Sequence, residues 1–264
     1  MTASLLNSII ACPACQAPLS QDDAAPSITC GGCGLSFGKE GHFWDLTPET
    51  VAQSSPLWET WQHVQNNGLA SYEADPDHNL SVGKRNDCKQ FAEFCAFRGL
   101  VLDVGCGPQA WPAYFDADRD AQFVGVDPLV GTEECQFLKI KALAEFLPFR
   151  AHTFDHVLFS TTLDHFVDPV QALKEAVRVC KPEGEIDVWL GEKRADTPKP
   201  ATSPEWYQRL EKPEMAEDIF HIERLDSAKF TTMIATAGLT IAEAVRHQVD
   251  EYRINCFYRL KAGK

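Results

Sequence analysis

Residues 100–107 read Leu100-Val101-Leu102-Asp103-Val104-Gly105-Cys106-Gly107, and the fold turns on them. Four apolar residues in five make a short buried strand. Glycines directly behind it let the backbone approach a ligand closely, and a following helix near Gln109 to Phe115 would offer free amides. A second strand, Gln122-Phe123-Val124-Gly125-Val126, ends in Asp127, 22 residues past Gly105. An α/β nucleotide fold places there the acid that meets ribose hydroxyls.

Gly105-x-Gly107-x-x-Ala110 also fits a dinucleotide fingerprint, a weak signal taken alone. Asp103 separates the readings. A carboxylate two residues before the first glycine suits the ammonium of a methionine moiety and is unwelcome beside a pyrophosphate.

With Asp103 included, the segment resembles the first motif of the class I S-adenosylmethionine (SAM) methyltransferases, type 11 branch. The resemblance continues in order through Ala144–Phe149, Thr153–Ser160, Leu163–Phe166, Ala172–Cys180 and Lys181–Ile186, covering about residues 98–191. It departs at Gln109, where many members carry a third glycine, and at Leu143, where many carry an adenine-binding Asp. The resemblance implies a Rossmann-like α/β sandwich of seven strands with helices on both faces. It also implies SAM as cofactor, held by Asp103, Gly105, Cys106, Gly107, Asp127, Pro128, Ala144, Glu145 and Ser160. Adenine contact then falls to backbone groups of Ala144 and Glu145.

Upstream stand Cys12-Pro13-Ala14-Cys15 and Cys30-Gly31-Gly32-Cys33, two knuckles fourteen residues apart. Such a pair can wrap one tetrahedral Zn²⁺ with four thiolates, a closed and therefore structural site; paired redox thiols are the alternative. Gly31, Gly32 and Gly34 ease the turns. Fewer than about 50 residues bury little core, so the metal would supply folding energy. The module is similar to zinc ribbons at the front of some methyltransferases, the bacterial ribosomal-RNA guanine methyltransferases among them.

The domain reading is a zinc ribbon over 1–47, a linker with helices over 48–98, and a methyltransferase domain over 99–264 with an insertion at about 192–225. The linker helices are expected at Ser54–Tyr72 and Ser81–Phe97, the second capped by Ser81 and stopped by Gly99. Trp58, Trp61 and Tyr72 either cap a ligand pocket or pack on the core. Gly238–Ile241 and Glu251–Leu260 supply a finishing antiparallel hairpin.

Methyl transfer needs an in-line nucleophile and a destination for its proton. Beyond the fourth strand, His165 is the general-base candidate, with Asp164 or Asp168 as electrostatic partner. The Pro-rich insertion is expected to cover the acceptor, with Trp206, Tyr207 and His221 as candidate walls. Arg85, Lys193 and Arg194 could meet phosphates of a nucleotide-linked sugar.

Net charge is −14 over 264 residues. Residues 1–50 contribute −4, residues 51–191 contribute −10, and residues 192–264 are neutral. No segment forms a basic arm, which disfavours nucleic acid as a partner. No apolar run is long enough for a membrane span. Ten cysteines without a secretory leader point to a reducing cytoplasm. Three functions stand: methylation at oxygen or nitrogen of a small molecule or carbohydrate intermediate; methylation of a ribosomal or transfer RNA base; and a non-catalytic SAM-binding partner. A protein could dock through the zinc ribbon.

Overall fold

The computed structural model describes residues 2–21, 25–48, 53–76, 80, 82–114, 120–194, 196–197 and 203–263. Its centre is β5 (Gly99–Val104), flanked by β6 (Ala121–Asp127) and β8 (Phe154–Ser160), both parallel to it. Val101 to Val104 are all buried, the pattern of a strand covered on both faces. Outward lie β7 (Leu138–Lys141) on one side and β9 (Cys180–Lys193) on the other. The antiparallel hairpin of β10 (Leu239–Gln248) and β11 (Arg253–Ala262) ends the sheet, with β11 against β9.

The sheet has nine strands rather than seven, in the order β10-β11-β9-β8-β5-β6-β7-β4-β3. The two extra strands come from the cysteine-rich segment: β3 (Lys39–Glu40) and β4 (Phe43–Asp45), with β4 parallel to β7. Without them β7 would expose an edge of unpaired amides and carbonyls. A separate small sheet, β1 (Ile28–Thr29) with β2 (Ser36–Phe37), carries the second cysteine knuckle. Helix α1 (Thr2–Ile9) leads into the first knuckle, and Ile10 bridges to Phe149. Leu6, Ile10, Leu19, Trp44 and Leu46 belong to the same apolar cluster as Leu102, Leu147 and Phe154. The cysteine segment and the sheet therefore share one core.

Helix α2 (Trp58–Ala74) starts later than its sequence signal, and the second linker helix, α3 (Asn86–Cys95), follows a 3₁₀ turn at Val82–Lys84. Ala96, not Gly99, ends α3: it adopts φ 49° and its amide bonds Ala92 O. Gly99, also left-handed at φ 64°, already belongs to β5. The Ser81 cap lies outside the described residues. The helix expected near Gln109 to Phe115 is absent over 109–114, which run as bends and turns; Phe115 lies outside the described residues. Pro112 removes an amide that an α-helix there would need.

Helix α4 (Pro169–Val179) begins where Asp168 accepts a hydrogen bond from the Gln171 amide at 2.9 Å, with proline in its first turn. A four-residue helix, α5 (Glu205–Gln208), lies in the insertion. Helix α6 (Ser227–Thr236) is capped by Asp226, which accepts from Ala228 N and Lys229 N. Among the described residues no helix is long and apolar enough to cross a membrane.

Candidate cofactor and acceptor site

Chain order reverses at β5, whose neighbours are β6 and β8, and the crevice at such a reversal is where α/β folds take ligands. Both glycines after β5 are left-handed, Gly105 at φ 84° and Gly107 at φ 71°. A Cβ on Gly105 would come within 2.6 Å of Thr162 Cγ2, so both space and backbone require glycine there. The turn is tied down on every side. Gly107 N donates to Asp127 Oδ2 at 2.7 Å, and Leu129 N to Asp127 Oδ1 at 2.7 Å. Lys139, buried beneath, donates from Nζ to Gly107 O at 2.8 Å and Gln109 O at 2.5 Å. Thr162 Oγ1 donates to Val104 O at 3.0 Å.

A cavity of about 410 Å³ opens over this turn. All nine sequence candidates line it: Asp103, Gly105, Cys106, Gly107, Asp127, Pro128, Ala144, Glu145 and Ser160. Asp103 is 2 % exposed, and none of the hydrogen bonds among the described residues uses its side chain. Burial, with Asp127 adding repulsion, pushes its carboxyl up to about 7. Burial likewise raises Asp127 to about 6 against the two amides that favour its ionised form. A buried carboxylate without a partner among the described residues, beside a turn whose Gly105 admits no Cβ, fits the cationic methionine end of SAM; Asp127 remains at the strand end suited to ribose.

Other candidates have structural duties. The Glu145 side chain accepts from Val167 N at 2.8 Å and Asp168 N at 3.0 Å, so its carboxylate anchors the loop before α4. Ser160 Oγ is bonded to Tyr114 OH. Asp155 takes Leu100 N at 2.9 Å and Lys181 Nζ at 2.8 Å, which sets the start of β5 rather than a ligand contact.

His165 and His221 line the same cavity, with ring centroids 4.3 Å apart. His165 pairs through Nδ1 with Phe220 O at 3.1 Å, and its Nε2 is 4.0 Å from Asp164 Oδ1. Withdrawal from bulk water lowers His165 to about 4, leaving its ring neutral. His221 Nδ1 lies 2.7 Å from Asp218 Oδ1, and its Nε2 3.6 Å from Asp164 Oδ2. Arg224 reaches Asp218 at 2.7 Å and Asp164 at 3.7 Å. Hydrogen bonds from His221 and the Phe220 amide, with Arg224 adding attraction, draw the Asp218 carboxyl well below the usual range despite its partial burial. Asp164 sits behind the histidines, off the cavity wall, whereas Asp168 caps α4 and does not partner His165.

The insertion reaches the cavity through Phe220 and His221. Asn67 of α2 holds it there, donating from Nδ2 to Glu211 O at 3.0 Å and Ile219 O at 2.7 Å. Trp206 and Tyr207 are not among the lining residues; Tyr207 is exposed and meets Phe220 edge-on. Trp61 and Tyr72 do line the cavity, and Trp61 Nε1 donates to His165 O at 3.0 Å. Arg85 lines it as well, whereas Lys193 and Arg194 do not. Lys139 and Thr162 escaped the sequence reading. Alternation in Leu138-Lys139-Ile140-Lys141 reads both lysines as outward, so Lys139 gives no local signal, and nothing local announces Thr162.

The four cysteines converge in the N-terminal segment. Cys12 and Cys33 Sγ are 3.6 Å apart, Cys15 and Cys30 Sγ 3.5 Å, spacings of the order two thiolates have on one tetrahedral zinc. The knuckles repeat one geometry: Gln16 N bonds Cys12 O and Gly34 N bonds Cys30 O, with φ 63° at Gln16 and 78° at Gly34. Gly32 is needed for contact, since a Cβ would meet Ala17 Cβ at 2.9 Å, while Gly31 has open space around it. Four thiols so placed can hold zinc.

Residues 102–187 match a family model described as a methyltransferase domain. A curated human protein, the mitochondrial arginine-hydroxylase NDUFAF5, is 33% identical over 91 residues, which is 32% of this chain and 26% of that protein. The chain thus aligns with only about a quarter of that relative's length. Among solved structures, the 1,6-didemethyltoxoflavin-N1-methyltransferase of Burkholderia thailandensis, with S-adenosylhomocysteine bound, superposes with TM-score 0.52. It is 11% identical, over 90% of this chain and 100% of that one. A chain of the complex between the Haloferax volcanii Trm112 methyltransferase activator and a methyltransferase superposes with TM-score 0.51 at 16% identity, covering 75% and 96%. These likenesses concern the fold.

Proposed function

We propose that this chain, whose core is a class I SAM-dependent methyltransferase domain, transfers a methyl group to an oxygen or nitrogen of a small molecule or carbohydrate intermediate. The observation that carries the reading is one cavity with two unlike sets of lining residues: partnerless Asp103 with the glycine turn, and His165 with His221, the latter from the insertion. SAM supplies a methyl group on a sulfonium that leaves readily. The protein has only to position, desolvate and handle a proton.

Asp103 receives the ammonium, Asp127 the ribose hydroxyls, and the backbone of Gly105 to Gly107 approaches the methionine chain. Pro128, Ala144 and Glu145 border the adenine, with the Glu145 side chain committed to its loop. Nδ1 of His165 donates to Phe220 O, so Nε2 presents a lone pair that takes the hydrogen bond, and then the proton, of the attacking group. Asp164 steadies the charge that forms.

The insertion over about 192–225 acts as the acceptor's cover, and Arg85 at the wall suits an anionic substituent such as a phosphate. The acidic charge of residues 51–191 speaks against RNA. The segment over 1–47 is read as the zinc-bearing unit and 99–264 as the catalytic one, with a protein partner able to dock on the former. The cysteine content suits a reducing compartment such as the cytoplasm.

The test is labelled methyl transfer from SAM into fractionated small-molecule extract, with S-adenosylhomocysteine measured in parallel. Label in a low-mass fraction supports the reading. Label confined to RNA or protein overturns the acceptor class, and absence of S-adenosylhomocysteine in every fraction overturns methyl transfer itself.

A further inference from the structure

Acid–base chemistry uses His165 and Asp164 but leaves His221, clustered with them, without a part. Asp164, His165 and His221 offer three ligand atoms within 4.8 Å of one another. If His165 Nδ1 donates to Phe220 O and His221 Nδ1 donates to Asp218, both Nε2 atoms carry lone pairs turned toward the Asp164 carboxylate. Three Lewis bases then face one point with no hydrogen among them. The outer partners are those of protein metal sites, where a ligating imidazole donates its other N–H to a carbonyl or carboxylate. The charges around the cluster are Asp164, Asp218 and Arg224, with Lys193 nearby. Arg224 is the cation now closest to Asp164 and can remain on Asp218 at 2.7 Å if Asp164 turns toward an ion.

We propose that Asp164, His165 and His221 form a binding site for a divalent first-row transition cation at the acceptor end of the cavity. Two imidazole nitrogens and one carboxylate oxygen suit zinc, cobalt, nickel or ferrous iron rather than magnesium or calcium. Ligand atoms on a common ion stand about 3.0–3.5 Å apart at the bond lengths of such sites. The three ligand atoms, one from each residue, now lie within 4.8 Å of one another, so closing on an ion asks side-chain rotations and no backbone rearrangement. Both histidines line the cavity, so the open coordination position faces it.

A hydroxyl or amine bound at that position loses its proton more readily, to solvent. The freed oxygen or nitrogen then bonds to the methyl carbon as the carbon–sulfur bond breaks and its electron pair stays on sulfur. In the loaded protein His165 is a ligand; in the metal-free protein its Nε2 is the proton acceptor. This deepens the methyl-transfer reading and rests on it for what the open position faces. The binding claim does not need that reading.

The experiment titrates the full chain, its cysteine site filled with zinc, with Co²⁺ and follows stoichiometry and visible absorption. The expected result is one further equivalent, adding ligand-field bands without thiolate-to-metal charge transfer. In His221→Ala and in Asp164→Asn that equivalent weakens at least tenfold, while circular dichroism and SAM binding show both variants folded. No further equivalent in the wild type overturns the proposal, as does one bound equally well by both variants. Failure of methyl transfer is read separately, as absence of S-adenosylhomocysteine from a protein that still takes up the second ion.

Discussion

Asp103 brings a buried carboxylate to the cavity wall with no protein donor among the described residues, and its chemistry sets a pH dependence. Burial first, then repulsion from Asp127, lifts its folded pKa to about 7, above the value in the unfolded chain. Between those two values the folded protein holds the extra proton, so the unliganded protein loses stability as pH rises through that window. An ammonium ligand needs the ionised form. SAM affinity should therefore climb as pH rises toward about 7 and level off above it, measured by calorimetry. Asp103→Asn should flatten both trends and weaken binding by roughly 1–3 kcal/mol. Asp127→Ala should cost a similar amount, because it also releases the Gly107 and Leu129 amides. Gly105→Ala forces both a left-handed backbone and a clash with Thr162. It should lower stability by about 2 kcal/mol and abolish measurable SAM binding, as thermal melts with and without ligand would show.

Elements place these residues, and the least regular ones decide the acceptor end. Helix α2 is tied to the insertion by Asn67, a buried amide that satisfies two carbonyls. Asn67→Ala strands both carbonyls at a cost of about 1–3 kcal/mol, borne by local opening of 211–222. Faster amide exchange in that segment is expected, with a several-fold higher acceptor KM and SAM affinity within about twofold of wild type. A second device sits under the other side of the sheet. Arg178 of α4 donates to Phe149 O and Leu147 O, while Glu175 accepts from Leu147 N and pairs with Arg178. This network fixes residues 147–149, which carry the bridge from Phe149 to Ile10 of the cysteine segment. Neither tether is visible in a local pattern, because each joins residues far apart in the chain.

Across the whole molecule, the cysteine segment and the sheet behave as one body. Strand β4 extends β7, Leu46 N bonds Lys141 O, and Leu6, Ile10 and Trp44 pack in the core shared with Leu102 and Phe154. Metal at the four thiols should thus stabilise the catalytic half as well. Stripping zinc with a chelator should lower the melting temperature of the entire chain by more than about 5 °C, as a single transition in scanning calorimetry. SAM affinity should fall with it, because β7 carries Lys139, the residue that holds the glycine turn. Two separate transitions, with the upper one unmoved, would contradict the shared core.

The sequence alone determined what short-range physics controls. A buried strand running into glycines, an acid at the end of the next strand, and cysteines paired at knuckle spacing are local arrangements with few structural solutions. The parallel sheet, the finishing hairpin and the convergence of nine candidate residues on one hollow follow from them. Only the tertiary structure decided the rest. It spent the Glu145 carboxylate on a loop and enlisted Lys139 and Thr162 to brace the glycines. It added β3 and β4 to the sheet, since an exposed β7 edge takes whatever strand is at hand. It also drew His221, remote in sequence, onto His165 and Asp164. Such pairings depend on which distant surfaces meet once the core closes, and no spacing along the chain encodes that.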